Sequence, residues 1–600
     1  MIVAFAKPLW KGKGCHTVKS SEIGMKKTVL ILAASSLFFA FGCDKKTEKT
    51  PDGAAQQQAA DGAAQQQAAV SIDLANWNKA DVNALLKFIP SDTVMAFVST
   101  REYDMEDPVM KSLFARSKEM MDKTNALVKK IDDDEMTAFY SLWMKEFKPL
   151  LDDYKNVAPS WGMDPLGRSD SAIYLTDEYL VAKGTAIDAT VLREKLEGTV
   201  KSAIKAMGSE EDIKEVVRIK TLDIKGEQWI RYDLGDEGDD DGFSVFVHYS
   251  KNIVTLAIPL SSKVDQDSVN ATLSAAAKPL DKSALGSLDN RPIGLGFIDN
   301  KGITDKVLKS QGLLGKAMSE LLLDGEALSE VCASEISGLA GIFPRTVVRM
   351  TMDGKSISYD FTTTLASAET LSAIQGLKST VLDFSNDKTL AGLSFSLNIG
   401  KTVDFLAGIS SKISKSPYKC DSLSFLNDMA EGAAALPELL SMAPQFSAIK
   451  TLNGFSAYLQ GLELDENNDI KQIDIAASVL GKDLGAILKM GTQALGVKEL
   501  SKLKFAKGKA EKVDLSKLAG IPLNVSTLLT DNGLLLAAGQ EIDIQVLGKT
   551  EPKQSDSFIS FIFDYKTLAS IMPDMDLGVK YSMSFGVNSE GLSVKVVTEF

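Results

Sequence analysis

The residue types that carry most enzyme chemistry are scarce in this chain of 600 residues. Beyond position 42 the one histidine is His248, in the apolar stretch VFVHY, where we expect a strand residue that faces solvent. A Ser/His/Asp triad or a histidine-rich zinc site needs more than one isolated histidine. Cys332 and Cys420 lack the paired spacing of a zinc knuckle. We therefore predict no catalytic or zinc site at these residues.

The acidic run DEGDDDG at residues 236–242 is a candidate calcium site. If Gly242 is the sixth residue of a calcium loop, Asp239 and Asp241 take the third and fifth positions. The twelfth position is then His248, where the loop requires a bidentate glutamate. The run is not an EF-hand, and a solvated hairpin loop is favoured over a loose calcium site at Asp239 and Asp241.

Other catalytic signatures are incomplete in the sequence. Ser-x-x-Lys pairs such as Ser202/Lys205 have no Ser-Asp-Asn or Lys-Thr-Gly partner. The stretch Gly312–Ala317 lacks the spacing and the hydroxyl of a P-loop, and there is no G-x-S-x-G elbow. We predict a non-enzymatic protein with no catalytic residues and no cofactor.

Residues 25–42 have the features of a secretory signal. Lys26 and Lys27 precede an apolar run at residues 29–41, which is shorter than the roughly 20 residues of a transmembrane helix, the alternative interpretation. Gly42 directly precedes Cys43, whose thiol could carry a diacylglycerol thioether. The segment AFGC resembles the bacterial lipoprotein lipobox, with alanine where leucine is more usual. The resemblance implies lipidation of Cys43.

The segments on either side of this signal have no pattern of a folded domain. Residues 1–24 are interpreted as an extension that begins at an upstream start codon, and the alternative is an unusually long positive region of the signal. Residues 43–70 contain the nine-residue sequence DGAAQQQAA twice in succession. Because this segment has little to bury, we predict a disordered tether between the lipid and the folded body.

The charge balance restricts the partners. Removing the first 42 residues removes six lysines and one glutamate, which leaves 60 basic and 79 acidic residues and a net charge of −19. This argues against nucleic-acid binding and against electrostatic docking on an anionic membrane. We expect the lipid to hold the protein on the membrane and the partner to be an unknown envelope protein or an apolar ligand.

Two cysteines follow Cys43, and they are candidates for a disulfide. An envelope compartment is oxidising, and Cys420 lies in the polar stretch YKCD, which is typical of an exposed loop. We favour a bond between Cys332 and Cys420 over two free buried thiols.

Three kinds of segment recur in the same order over the rest of the chain, which predicts an internal duplication. The kinds are an apolar strand that leads through an acidic or amide residue into a helix, a long hairpin, and a second hairpin type. The fold class expected is α+β, with long antiparallel sheets and hairpins backed by helices. The predicted halves are residues 71–385, with a helical insertion at about 108–156, and 386–600. Helices are predicted between the strands at Val191–Met207, Val264–Ala277, Leu371–Phe384 and Leu484–Leu495.

Several stretches are similar to an uncharacterised family of Gram-negative envelope lipoproteins: WGMDP at 161–165, AIY at 172–174, Cys332–Arg345 and Tyr418–Asn427. The resemblance implies an envelope location and brings no activity. We expect a membrane-anchored binding or scaffold protein. A carrier or chaperone for lipids or outer-membrane proteins, and an enzyme of unrecognised class, are the alternatives. Asp44 resembles an inner-membrane retention signal, but Lys45 beside it leaves the choice of membrane open.

Overall fold

The computed structural model describes residues 77–79, 81–128, 134–206, 217–234, 243–260, 266–287, 289–309, 312, 314–316, 328–442, 448–466, 470–482, 484–485, 487–488, 503–516, 523–539, 542–569, 571 and 578–600. Within these residues the strands are β1 (Met95–Ser99), β2 (Ser171–Leu175), β3 (Tyr179–Thr185), β4 (Val217–Ile224), β5 (Glu227–Leu234), β6 (Phe243–Ser250), β7 (Ile253–Pro259), β8 (Pro292–Ile298), β9 (Thr346–Met352), β10 (Ser356–Thr364), β11 (Thr380–Val381), β12 (Ala391–Phe395), β13 (Leu452–Leu464), β14 (Ile470–Gly481), β15 (Ala510–Asp514), β16 (Asn524–Leu529), β17 (Gly533–Ala538), β18 (Lys553–Gln554), β19 (Ser557–Asp564), β20 (Lys580–Val587) and β21 (Gly591–Glu599).

The longer helices of the described ranges lie between these strands. They are α1 (Pro108–Val128), α2 (Asp134–Asp152), α3 (Ala189–Ala206), α4 (Asn300–Leu308), α5 (Glu330–Ile342), α6 (Ala368–Gln375), α7 (Ile399–Lys415) and α8 (Ser424–Leu439). The pair α1 and α2 follows β1, and the pair α7 and α8 follows β12. No helix in the described part of the chain is long and apolar enough to cross a membrane.

Nineteen of the described strands form one antiparallel sheet, and β11 and β18 pair separately. The pairings give the order β4-β5-β6-β7-β3-β2-β1-β8-β9-β10-β21-β20-β19-β12-β13-β14-β17-β16-β15. On either side of the β10–β21 contact, the ten described strands from β10 to β4 form a first set and the nine from β21 to β15 a second set. Each strand of the second set has a counterpart in the first, and β4 is the additional strand. The α+β class with internally repeated antiparallel strands is therefore confirmed.

Matching positions in the two sets make matching contacts. Tyr174 pairs with Ala96 and Val181, as Tyr458 pairs with Gly392 and Ala476. The N–H of Asp299 donates to the carbonyl of Val94 at 2.7 Å, and the N–H of Asp564 donates to the carbonyl of Leu390 at 2.8 Å. These pairs of residues are thus structural equivalents.

Local capping starts the helices that follow the recurring strands. The carboxylates of Asp299 and Asp564 and the side chain of Asn398 each accept a hydrogen bond from the backbone N–H three residues later. This contact satisfies one of the free N–H groups of a helix start. In these three segments the acidic or amide residue after the strand is therefore an N-cap.

Three clusters of buried apolar side chains hold the sheet. One cluster, on one face of the first set, includes Tyr174, Trp229 and Phe246, and a second on the opposite face joins α2 and α3 to β6 and β7. The third cluster, in the second set, includes Tyr458 and Leu535. The first set is thus covered on both faces.

Two predicted helices are shorter than expected. The helix predicted over Val264–Ala277 spans Gln266–Ala271, because the N–H of Ala276 donates to the carbonyl of Lys87 instead. The helix predicted over Leu371–Phe384 is α6, which ends at Gln375, and Thr380 then pairs with Gln554. In both places the helix ends because the backbone that follows it forms hydrogen bonds with a distant segment of the chain. The helix predicted over Leu484–Leu495 lies mostly outside the described residues.

A disulfide joins the two sets. Cys332 on α5 is bonded to Cys420, which precedes α8, with 4.6 Å between their Cα atoms. The Glu335 carboxylate accepts hydrogen bonds from the backbone N–H groups of Lys419 and Cys420 at 2.9–3.1 Å. The cross-link therefore holds the end of the α7–α8 loop against α5.

Candidate functional site

The six strands at the middle of the sheet have one strongly apolar face. Cross-strand partners share a face, and side chains alternate between faces along each strand. The residues that share this face, called here the apolar face, are Val348, Met350, Met352, Ile357, Tyr359, Phe361, Val594, Val596, Tyr581, Met583, Phe585, Ile559, Phe561, Phe563, Ala391, Leu393 and Phe395.

Much of the apolar face is open to solvent in the structure. Leu393, Phe563 and Phe585 are 37–40% exposed, whereas Val348 and Met352 at one side are buried. The remaining members are half-buried. Since soluble proteins rarely leave contiguous apolar patches larger than a few hundred Å² uncovered, a face of this kind is a candidate interaction site.

The opposite face of the same six strands is polar. One row of directly paired residues on it runs Arg349, Asp360, Lys595, Ser584, Ser560 and Ser394. An antiparallel sheet with one apolar and one polar face normally covers the apolar one. The central strands thus have the pattern of a sheet that packs against a partner.

Helices contact both ends of the central strands. At one end the Ser112 hydroxyl of α1 donates to the carbonyl of Gly354, and Arg116 donates to the carbonyl of Phe600. At the other end Gln375 of α6 donates to the carbonyl of Asn588 at 2.6 Å. These contacts fix the strand ends that border the apolar face.

A buried polar group lies in the first set. The Lys183 ammonium donates to the Thr255 hydroxyl at 2.9 Å and lies 4.6 Å from the centroid of the Phe88 ring. Its side chain is 1% exposed, and burial lowers the pKa of Lys183 to about 7. At pH 7 a lysine of this kind has a larger neutral fraction than an exposed one, and its side chain is closed off from solvent in this structure.

The expectation that His248 faces solvent is wrong. The residue is 2% exposed, and its Nε2 lies 2.9 Å from the Glu227 carboxylate while the ring packs against Trp229. Burial lowers the pKa of His248, the Glu227 carboxylate opposes this, and the charge of Lys183 lowers it further. His248 is buried because β6 lies between β5 and β7 and both of its faces are covered.

Lys183 is not among the predicted site residues, although the sequence carries a signal for its burial. Every second residue of β3, namely Val181, Lys183 and Thr185, lies on the same face, and Val181 belongs to the core cluster on that face. Alternation therefore places Lys183 inside.

A pocket of about 630 Å³ lies near this buried group, in the first set. It lies between the β2–β3 turn, the segment before β1 and the helix at Gln266–Ala271. Side chains that line it include Phe88, Thr93, Tyr174, Tyr179, Lys225 and Asn270. The volume falls in the range of small-molecule sites, roughly 300–1,000 Å³.

The other predicted site residues cannot be placed relative to one another. Cys43, the predicted lipidation site, and the calcium candidates Asp239 and Asp241 lie outside the described residues. Among the residues that the structure describes there is no cluster of three or more His, Cys, Asp or Glu side chains able to hold a metal.

Comparisons of the chain with protein-family models, with curated proteins and with solved structures found no match.

Proposed function

We propose that this protein is a lipid-anchored, non-enzymatic binding protein of the Gram-negative cell envelope that holds an apolar partner on the apolar face. The observation that carries the proposal is the exposure of Leu393, Phe563 and Phe585 at the middle of the sheet. The signal at residues 25–42 and the cysteine at position 43 support the anchor and the location.

The dimensions of the apolar face suit an amphipathic or apolar segment of a protein. Six strands span about 24 Å across and three alternating residues about 13 Å along a strand. Each of the six strands is paired on both sides, so a partner binds through side chains and not by adding a strand to an edge. A surface this small forms the centre of an interface and needs polar contacts around it.

The second candidate is a carrier of lipids. The same face offers aromatic and aliphatic side chains to an acyl chain, at about 25 cal/mol for each Å² of apolar surface removed from water. An open face fits transient contact with lipid better than storage, for which an enclosed apolar cavity is needed.

Site-specific photocrosslinking in native membranes tests both candidates. A photoreactive residue is placed at Phe585, with Ser584 on the opposite face of the same strand as the matched control. A protein crosslinked only from position 585 supports the first candidate, provided that Phe563→Glu abolishes it. Crosslinks to lipid alone support the carrier. Equal labelling from positions 585 and 584 contradicts both.

The anchor is tested separately. We expect mass spectrometry of the protein from membranes to find Cys43 as the first residue and acylated. Cys43→Ser should release the protein from the membrane fraction. An unacylated Cys43 with residues 25–42 still attached would contradict the location as well as the anchor.

A further inference from the structure

The pocket of the first set has an equivalent place in the second set, and the two differ in their hydrogen bonds. The segment LKFIPSDTV at 86–94 matches LDFSNDKTL at 382–390, because Val94 and Leu390 are equivalents and Phe88 and Phe384 precede them by the same spacing. Phe88 belongs to the core cluster around Tyr174, and Phe384 to the one around Tyr458.

In the second set both hydroxyls have partners. The Tyr458 hydroxyl is hydrogen-bonded to the side chains of Asp383 and Ser394. The Thr389 hydroxyl accepts from the backbone N–H of Asn386 at 2.8 Å. These residues are 1–8% exposed, apart from the two at the surface, Asp383 and Asn386.

In the first set the equivalent hydroxyls lack these partners. Lys87 stands where Asp383 does, Val98 where Ser394 does, and Pro90, which has no N–H, where Asn386 does. Among the described residues the Thr93 hydroxyl has no hydrogen-bond partner, although Thr93 is 6% exposed. Tyr174 is 2% exposed, and burial raises the pKa of its hydroxyl with no side-chain hydrogen bond contributing. Both residues line the pocket.

A buried hydroxyl without a hydrogen-bond partner costs free energy, so such a hydroxyl in a pocket indicates that a bound ligand supplies the missing hydrogen bond. Burial raises the pKa of Tyr174, which keeps its hydroxyl protonated and able to donate. A ligand with oxygen atoms at the floor of the pocket would accept from Tyr174 and exchange a hydrogen bond with Thr93.

The charges around the pocket disfavour ions of either sign. At the rim Lys225 pairs with Asp267 at 3.0 Å and Lys306 with Asp177 at 2.5 Å, and the lining carboxylates of Asp92 and Glu178 remain in addition. These extra carboxylates repel an anion. Behind the Phe88 ring, which lines the pocket, the side-chain nitrogens of Lys87 and Lys183 lie 5.3 and 4.6 Å from the ring centroid, and positive charge on them repels a cation. An uncharged ligand avoids both costs.

We propose that this pocket binds an uncharged, hydroxyl-rich ligand of the size of a mono- or disaccharide, held by Tyr174 and Thr93. Asp92, Glu178 and Asn270 supply acceptors for ligand hydroxyls, and the Tyr179 ring supplies an apolar surface for a sugar ring. This binding site lies apart from the apolar face, so it stands or fails independently of the function proposed above.

Saturation-transfer NMR and calorimetry on the full chain test the proposal, with the protein held in a detergent that has no sugar headgroup. The probes are glucose, N-acetylglucosamine and cellobiose, with glucosamine and glucuronate as cationic and anionic counterparts of one ring. We expect binding of at least one neutral sugar and weaker binding of the charged counterparts. No signal from any neutral sugar, or tighter binding of glucosamine or glucuronate than of glucose, overturns the proposal.

Matched variants in the two sets locate the site. Tyr174→Phe and Thr93→Val should each weaken binding of the neutral sugar about tenfold, because each removes a hydrogen bond to the ligand. Tyr458→Phe and Thr389→Val remove the equivalent hydroxyls and should leave binding unchanged. Since the hydroxyls of Tyr174 and Thr93 lack partners, their removal should leave the thermal midpoint unchanged, which separates lost binding from lost folding. Unchanged binding by Tyr174→Phe overturns the proposal.

Discussion

Asp360 of β10 and Lys595 of β21 lie directly opposite each other at the point about which the two sets of strands are related. Outward from this pair, Tyr359 faces Val596 and Phe361 faces Val594. Val594 is the equivalent of Tyr359, and Val596 of Phe361, because the β9–β10 and β20–β21 hairpins have matching registers. The two sets therefore join as the subunits of a two-fold dimer join, through one self-complementary strand pair.

The charges at this centre should contribute measurably to stability. Asp360→Lys places a lysine opposite Lys595, and like charges directly opposite each other destabilise a sheet. We expect a loss of about 0.5–1 kcal/mol in the free energy of unfolding, and recovery of most of it on adding Lys595→Asp. Urea denaturation of the two single variants and the double variant measures this, and an additive double variant would show that the residues do not interact.

Lys183 should make stability depend on pH. Its pKa is lowered by burial from 10.5 to about 7, so between these values the unfolded chain binds a proton that the folded chain does not. The free energy of unfolding therefore rises with pH between these two values, and burial of Lys183 destabilises the folded protein most below pH 7. Lys183→Met, which keeps an unbranched side chain one atom shorter, should raise the free energy of unfolding by about 1–3 kcal/mol at pH 7. It should give little gain near pH 10.

Urea denaturation of the wild type and of Lys183→Met at pH 7, 8, 9 and 10 measures this effect. Above pH 7 the neighbouring His248, whose pKa is lowered from 6.5, stays neutral and does not confuse the result. A gain that stays constant from pH 7 to pH 10 would mean that Lys183 is not neutralised on folding.

Reduction of the disulfide should destabilise the protein. The bond closes a loop with a sequence separation of 88 residues, and cross-links of this kind stabilise by about 2–4 kcal/mol. Cys332→Ser combined with Cys420→Ser should lower the free energy of unfolding by this amount. The wild type should show no free thiol at these positions before reduction. Thiol titration under denaturing conditions checks the second point, and two reactive thiols would contradict the bond.

Removing equivalent tyrosine hydroxyls should have unequal costs. Tyr458→Phe deletes hydrogen bonds to Asp383 and Ser394 and should cost about 1–2 kcal/mol of unfolding free energy. Tyr174→Phe deletes a hydroxyl without a partner among the described residues, and should change stability by less than about 0.5 kcal/mol. Thermal unfolding of the two variants without added ligand measures the difference. Equal losses would show that Tyr174 has a partner in the free protein.

Features fixed by neighbouring residues could be predicted from the sequence. The turn between β9 and β10 follows from Asp353, whose carboxylate accepts from the N–H groups of Lys355 and Ser356, and from Gly354 with φ +84°. The helix starts at Asp299 and Asn398 depend on contacts three residues apart. Such signals lie within one turn of chain, where residue type decides the geometry.

Features fixed by contacts between distant parts of the chain could not be predicted from the sequence. The pairing of β10 with β21 joins strands far apart in the sequence, and either hairpin alone fits other partners equally well. His248 lies on a strand with apolar residues on both faces, so the alternation of apolar and polar residues does not indicate which face of β6 is buried. The pocket depends on Pro90, Lys87 and Val98 standing where the second set has hydrogen-bonding residues, and this is visible only after the two sets are superposed through their registers.

The β10–β21 pair cannot form until nearly the whole chain has been synthesised. When β10 leaves the ribosome, its partner lies roughly 230 residues further along, about 10–50 s of translation at 5–20 residues per second. Throughout that interval the nascent chain carries an unpaired edge rich in tyrosine, phenylalanine and threonine, which other unfinished chains can join. The signal predicted at residues 25–42 would export the chain before it folds, so copies must be kept apart until the second set has also crossed the membrane, and slowed synthesis between residues 365 and 590 should lower the yield of folded protein.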